Sequence, residues 1–197
     1  MSDSTLFKSL RDIHSIYFHP ELHELERKLL NHIDKNPGIR YMELLRRTGS
    51  TNGVLSYHLS ELENSKQIAV DRKRGTTRYY PAIIPKEVSI AIGNIRNPIR
   101  RQIISLLLKY DTCTFTQLAS NSVKVPSTVF WHIKKLLDDG IVTKASVGFS
   151  SNSSLINSHR YYCLANKALI GDILSKYIRS PLDEIVDDYR NIVGELN

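Results

Sequence analysis

Apolar residues recur at helical spacing in two stretches of this chain, and each stretch leads into two short β-like runs. In the first, Leu22, Leu25, Leu29, Leu30 and Ile33 predict a helix over Glu21–Lys35, one stripe of it buried. Asn36-Pro37-Gly38 stops it. Tyr41–Arg47 predicts a short second helix packing through Met42, Leu44 and Leu45, and Thr48-Gly49 predicts the turn after it. Ser50 or Thr51 is the expected cap of a third helix ending at Asn64, with Val54, Leu55, Leu59 and Leu62 inward. Ile68-Ala69-Val70 and Tyr79-Tyr80 predict two strands around the basic, Gly-containing tip Asp71–Arg78.

The second stretch repeats this order. Pro98 suits the first position of a helix with the stripe Ile99, Ile103, Leu106 and Leu107. Phe115–Asn121 predicts the short helix, Pro126–Asp139 the third helix with Gly140 ending it, and Ile141–Ala145 and Arg160–Leu164 the strands. The tip between those strands, Ser146–His159, is long, rich in Ser and Asn and nearly uncharged, so mobility is expected of it.

The two stretches are copies. Tyr41–Val70 lies over Phe115–Lys144 without a gap, 74 residues apart, placing Tyr57-His58 on Trp131-His132, Leu59 on Ile133 and Leu62 on Leu136. Both end in Arg-Tyr-Tyr, at Arg78-Tyr79-Tyr80 and Arg160-Tyr161-Tyr162. Helix, short helix, turn, helix and two-stranded ribbon is the order of a winged helix-turn-helix. The expected fold is therefore mainly α with small β-wings: two tandem winged helix-turn-helix domains, at 20–84 and 85–165, plus terminal helices. Residues 1–19 hold an amphipathic stretch, Thr5–Phe18. Residues 166–197 hold two more, Asn166–Ile178 and Leu182–Leu196, whose apolar stripes need either the repeats or a second chain as partner.

Charge adds a partner class. Residues 20–84 carry 11 basic and 8 acidic side chains, residues 85–165 carry 10 and 4, and residues 166–197 carry 4 and 6. Basic repeats with an acidic tail point to a polyanion bound by the repeats. A third helix in a major groove presents its outward residues near the amino end. In the first unit these are Thr51, Asn52, Ser56, Tyr57 and Ser60; in the second, Ser127, Thr128, Trp131 and Lys134, with Lys135 adjacent and Phe130 beside Trp131. The apolar Phe130-Trp131 pair either faces DNA or buries against the neighbouring unit or the tail. His58 either caps the core or meets a phosphate. In the first wing Arg72, Lys73, Arg74 and Arg78 are expected on phosphates, the alternative being a solvated charge run around a turn. Arg78 and Arg160 recur with the Tyr-Tyr pair and so have a structural reading as well. Lys144, His159 and Arg160 are the second wing's cations, and Arg40, Arg46, Arg47, Arg96, Arg100 and Arg101 extend a phosphate track.

Other chemistries lack their motifs. There is no Gly-rich phosphate loop, no Ser-His-Asp order and no carboxylate pair in a catalytic setting, so no enzyme and no cofactor are expected. His14, His19, His23 and His32 lie close in sequence, but Pro20 breaks the helix that would align them and no cysteine cluster joins them, so no metal is expected. Cys113 and Cys163 are expected as free thiols. Apolar runs fall short of the ~20 residues of a membrane span. The start lacks a secretory pattern, so a cytoplasmic protein is expected.

The run Asn52-Gly53-Val54-Leu55-Ser56-Tyr57-His58-Leu59, with Leu62 and a basic wing ending in Arg-Tyr-Tyr-Pro, resembles archaeal winged-helix transcriptional regulators of the ArsR/MarR-like group. Ser127-Thr128-Val129-Phe130-Trp131-His132-Ile133, with Leu136 and Gly140-Ile141-Val142, is similar to the same signature. The likeness covers roughly residues 20–165 and implies promoter binding by the third helix and wing of each unit, by a homodimer or a pseudo-two-fold monomer. The paired-cysteine metal box of ArsR-type sensors is missing. The residues leave two rival readings open, a tandem winged-helix protein-interaction scaffold and a non-specific chromatin-like DNA binder.

Overall fold

The structure is a computed structural model that describes residues 24–72, 76–122, 124–145 and 161–177. The chain separates into two compact units between Ser89 and Ile90.

In the first unit, α1 (Glu24–Lys35), α2 (Tyr41–Thr48) and α3 (Asn52–Asn64) share one core with a small sheet. Leu29, Leu30 and Ile33 of α1 meet Leu44 of α2, and Leu55, Leu59 and Leu62 of α3 close the cluster. The sheet has the order β1-β3-β2, from β1 (Ile39–Arg40), β2 (Ile68–Asp71) and β3 (Arg78–Pro81). Pairing is antiparallel, with Ile39 opposite Tyr79 and Val70 opposite Tyr79 on the other side. The sequence pattern predicts β2 and β3 but misses β1, because two residues are too few to display an alternation.

Two glycines shape the unit. Gly38 has φ 78°, which turns the chain from α1 into β1. Its N–H donates to the Tyr79 carbonyl at 2.8 Å. Gly49 has φ 64° and closes α2 through an N–H to the Leu45 carbonyl. The tight turn into α3 is then held by Thr48 Oγ1 and Ser50 Oγ, 2.7 Å apart.

Three expectations for this unit are corrected. Met42 is 60% exposed and Val54 46% exposed, rather than inward. Met42 precedes buried Leu44 by two residues, which is about 200° round the helix, and Val54 stands about 100° from Leu55. Neither Ser50 nor Thr51 caps α3 with its hydroxyl: Ser50 pairs with Thr48, and Thr51 at the N-cap makes no side-chain cap bond.

Helix α4 (Lys86–Ile95) has no counterpart among the elements expected from sequence, although Val88, Ile92 and Ile95 have helical spacing. Ala91, Ile92, Asn94 and Ile95 are buried.

In the second unit α5 (Pro98–Tyr110) starts with Asn97 at the N-cap, whose side chain accepts from the Ile99 and Arg100 amides, and with Pro98 at the first helical position. β4 (Thr112–Thr114) leads into α6 (Phe115–Ser120) through a capping box between Thr114 and Gln117. α7 (Pro126–Asp138) follows and buries Val129, Ile133 and Leu136. The sheet β4-β6-β5, with β5 (Val142–Ala145) and β6 (Tyr161–Leu164), repeats the first unit's strand order. α8 (Lys167–Tyr177) buries Ile170 and Ile173. The expected helices over Thr5–Phe18 and Leu182–Leu196 and the tip Ser146–His159 lie outside the described residues.

Cys113 and Cys163 are free thiols. Cys113 stands opposite Tyr162, so Cys163, one residue on, projects from the other face of the sheet. Burial pushes the Cys113 thiol up from its ordinary pKa.

Candidate nucleic-acid interface

In each unit the short helix and the turn aim the third helix outward. On α3 the exposed stripe comprises Gly53, Ser56, Tyr57, Ser60 and Asn64; on α7 it comprises Ser127, Phe130, Trp131, Lys134 and Asp138. Both follow i, i+3, i+4, i+7, i+11, one face of a helix, and the two correspond residue for residue in the repeat. The opposite face of each helix is core.

The amino end of α3 is fixed to α2. Tyr41 Oη donates to the Asn52 carbonyl at 2.8 Å and lies 3.4 Å from Asn52 Oδ1. Thr51 and Asn52 sit exposed at that end, as do Ser56, Tyr57 and Ser60 along the stripe, with Tyr57 63% exposed. In the second unit Phe115 holds the place of Tyr41 and makes a different link. Its ring meets Phe130 edge-on with centroids 6.4 Å apart, and Phe130 meets Trp131 edge-on at 6.2 Å. A polar tie in one unit is thus an aromatic chain in the other. Sequence reasoning misses Tyr41 and Phe115, although their alignment in the repeat is the available signal.

Phe130 and Trp131 are 51% and 64% exposed. Ser127 and Lys134 are exposed beside them, and Thr128 is half-buried. Lys134 Nζ stands 5.3 Å from the centroid of a Trp131 ring. Lys135 faces elsewhere, half-buried and ion-paired with Asp139 one turn on. Asp139 also accepts from Asn94 Nδ2 at 2.9 Å, and Asn94 Oδ1 accepts from Arg100 at 2.7 Å. Lys135 therefore belongs to an internal polar network, which corrects its place among the expected DNA contacts.

Arg78 requires the same correction. It is 7% exposed, and its Nη1 donates to the Gly38 carbonyl at 2.7 Å. A buried guanidinium thus ties the turn before β1 to β3, which places Arg78 with the core and not with the exposed wing. Arg72 remains on the surface, where both its terminal nitrogens reach the Glu63 carboxylate at the end of α3, one of them at 2.6 Å. The hydrogen bond from Arg72 lowers the Glu63 carboxyl, and Glu63 in turn raises Arg72. Lys73, Arg74, His159 and Arg160 lie outside the described residues. Of the wider basic track, Arg40 and Arg46 are exposed. Arg47 pairs with Glu43 at 3.5 Å and Arg101 Nε donates to the Ile95 carbonyl at 2.9 Å.

His58 serves the core side. Its Nδ1 lies 2.9 Å from Glu26 Oε1, with both side chains largely buried. His132, its counterpart, is held below its ordinary pKa by burial and by the nearby Arg100 charge.

Two family models match separate parts of the chain. An N-terminal HTH domain matches residues 23–87, and a winged helix-turn-helix DNA-binding domain matches residues 96–143. Together with the two sheets and the paired third helices, this decides the architecture. The chain is a tandem winged helix-turn-helix protein. It is 26% identical over 143 residues to an uncharacterised HTH-type transcriptional regulator of Methanocaldococcus jannaschii. That match covers 71% of this chain and 36% of the relative, so it spans about a third of the relative's length. Among solved structures, a possible transcriptional regulator for arsenical resistance aligns at TM-score 0.34 and 22% identity, over 53% of this chain and 97% of that one. Among the described residues of the tandem winged helix-turn-helix protein no group of three or more His, Cys, Asp or Glu could hold a metal ion, and no helix is long and apolar enough to cross a membrane.

Proposed function

We propose that this chain is a sequence-specific DNA-binding transcription regulator whose third helices, α3 and α7, enter major grooves of promoter DNA. The observation that carries this reading is the matched outward stripe. Two helices in the same place of two repeats keep the same five positions exposed, which leaves the helix that would enter a groove uncovered by its own unit in both. Thr51, Asn52, Ser56, Tyr57 and Ser60 on α3 offer hydrogen bonds and one ring to base edges; Ser127, Thr128, Trp131 and Lys134 are their partners on α7. Arg72, Lys73 and Arg74 supply phosphate contacts, which position the protein without naming a sequence. Such binding makes and breaks no covalent bond, so the role is non-enzymatic and needs no cofactor. A cytoplasmic location accords with it. Two third helices reading successive grooves must stand about 34 Å apart, within one chain or across a homodimer formed through the terminal regions.

The test is selection of duplexes from a random pool by the full chain, followed by anisotropy titration of the enriched and a scrambled duplex at two salt concentrations. Tighter binding of the enriched duplex at both salts supports a specific regulator. Equal, steeply salt-dependent binding to both replaces it with the chromatin-like reading. The interaction-scaffold reading draws on the exposed Phe130-Trp131 pair, and absence of DNA binding at low salt would favour it.

A further inference from the structure

The two third helices differ in chemistry at matched positions. Where α3 shows Ser56, Tyr57 and Ser60, α7 shows Phe130, Trp131 and Lys134. We propose that the Phe130-Trp131 face of α7 is a thymine-reading site, recognising 5-methyl groups in the major groove, so that the protein's operator joins two chemically unlike half-sites. This rests on the DNA-binding reading above and specifies what its second unit recognises.

The argument is one of matching. Every base pair presents polar atoms in the major groove, and the thymine methyl is the apolar feature among them. A ring laid on the N7 and O6 of guanine or the amino group of cytosine removes water from those atoms and returns no hydrogen bond. Laid on a thymine methyl, the same ring buries apolar surface on both sides. The rings also form one continuous apolar surface: Phe115 meets Phe130 and Phe130 meets Trp131, each edge-on.

Charge selects DNA over an apolar protein surface. Lys134 stands by the Trp131 ring and shares its exposed face, while residues 85–165 carry 10 basic and 4 acidic side chains. A cation at the margin of an aromatic patch suits a groove floored by bases and walled by phosphates. The Trp131 indole N–H also has a natural acceptor there, since thymine O4 lies beside the methyl group.

The probe is an enriched duplex resynthesised with deoxyuridine replacing each thymine in turn, which deletes one methyl and keeps all hydrogen-bonding groups. Wild-type full-length protein and Trp131→Ala are titrated against each duplex. Trp131 is exposed, and an unchanged thermal melt of the variant shows that it folds. The expected result is at least one thymine whose methyl is worth roughly fourfold in wild-type affinity, about one buried carbon, and nothing in Trp131→Ala. The same uracil profile in both proteins overturns the proposal while leaving the DNA-binding reading intact. A pool that yields no enriched duplex overturns both. A second readout needs no variant: Trp131 is the chain's single tryptophan. Its emission should be quenched by the enriched duplex, and an unchanged spectrum at saturation places the ring outside the interface and overturns the proposal.

Discussion

His58 Nδ1 lies 2.9 Å from Glu26 Oε1, and in the second copy the position of Glu26 is held by Arg100. The charge facing the third helix's histidine is therefore reversed between the units. In the first unit a hydrogen bond between the carboxylate and the imidazole ties α3 to α1. In the second, burial and the Arg100 charge disfavour protonation of His132. Its folded pKa lies below the ordinary 6.5, so the unfolded chain binds the proton more readily. The neutral-His contribution to stability is fully present above about pH 6.5 and is lost as pH falls from there through the folded value. NMR titration of His132 should give a midpoint below 6.5, and Arg100→Gln should raise it. An unmoved midpoint would assign the shift to burial alone.

Arg78 should behave as a core residue. Arg78→Ala leaves the Gly38 carbonyl, in the buried turn before β1, without this donor, and hydrogen bonds from charged groups contribute about 1.5–3 kcal/mol. Urea unfolding should show a loss of that order. If the variant kept wild-type stability and lost DNA affinity, the phosphate-contact role would return.

Tyr41→Phe removes one hydroxyl and with it the bond to the Asn52 carbonyl. The expected stability loss is about 0.5–1.5 kcal/mol. Preference for the enriched over a scrambled duplex should fall more than affinity for the scrambled one, because the amino end of α3 is less firmly placed. Asn52→Ala and Tyr57→Ala should show the same bias towards lost discrimination. Equal losses on both DNAs would put these residues on the backbone-contact side.

In the proposed complex Glu63 competes with a phosphate for Arg72. Glu63→Gln weakens that pair and removes a negative charge at the end of α3, so binding to any duplex should tighten at low salt. Stability should change by less than about 1 kcal/mol, since the pair is exposed to solvent. Arg72→Ala combined with Arg74→Ala should weaken binding to every sequence and lower the salt slope by about one for each phosphate no longer neutralised. A slope unchanged in the double variant would take the first wing out of the interface.

How much of the fold is legible in the sequence follows the range of the interactions. Leu55, Leu59 and Leu62 repeat at the period of their own helix, so their burial is readable from neighbours in sequence. Val54 stands one step off that stripe, and its apolarity alone suggests an inward position that the helix does not give it. α4 shows the converse, an apolar period at Val88, Ile92 and Ile95 hidden in what looks like a connection. For the candidate site, the repeat locates the third helices and the aromatic-His pairs. It does not reveal that Phe130 and Trp131 stand exposed, since an aromatic ring is as ordinary in a core as on a binding face.

The sequence by itself determined the doubled unit, most of the helices and the basic charge of the repeats, because a repeat, a helical period and a charge count are all read along the chain without knowing what packs on what. Tertiary structure alone decided the third strand of each sheet, the burial of Arg78 on Gly38, the capture of Arg72 by Glu63, the link from Asp139 to Asn94, and which histidine meets a carboxylate. A charged side chain carries the same chemistry whether it points to solvent, to a phosphate or to a carbonyl across the sheet. Only the placement of residues distant in the chain, 40 positions apart for Gly38 and Arg78, settles which of these it does.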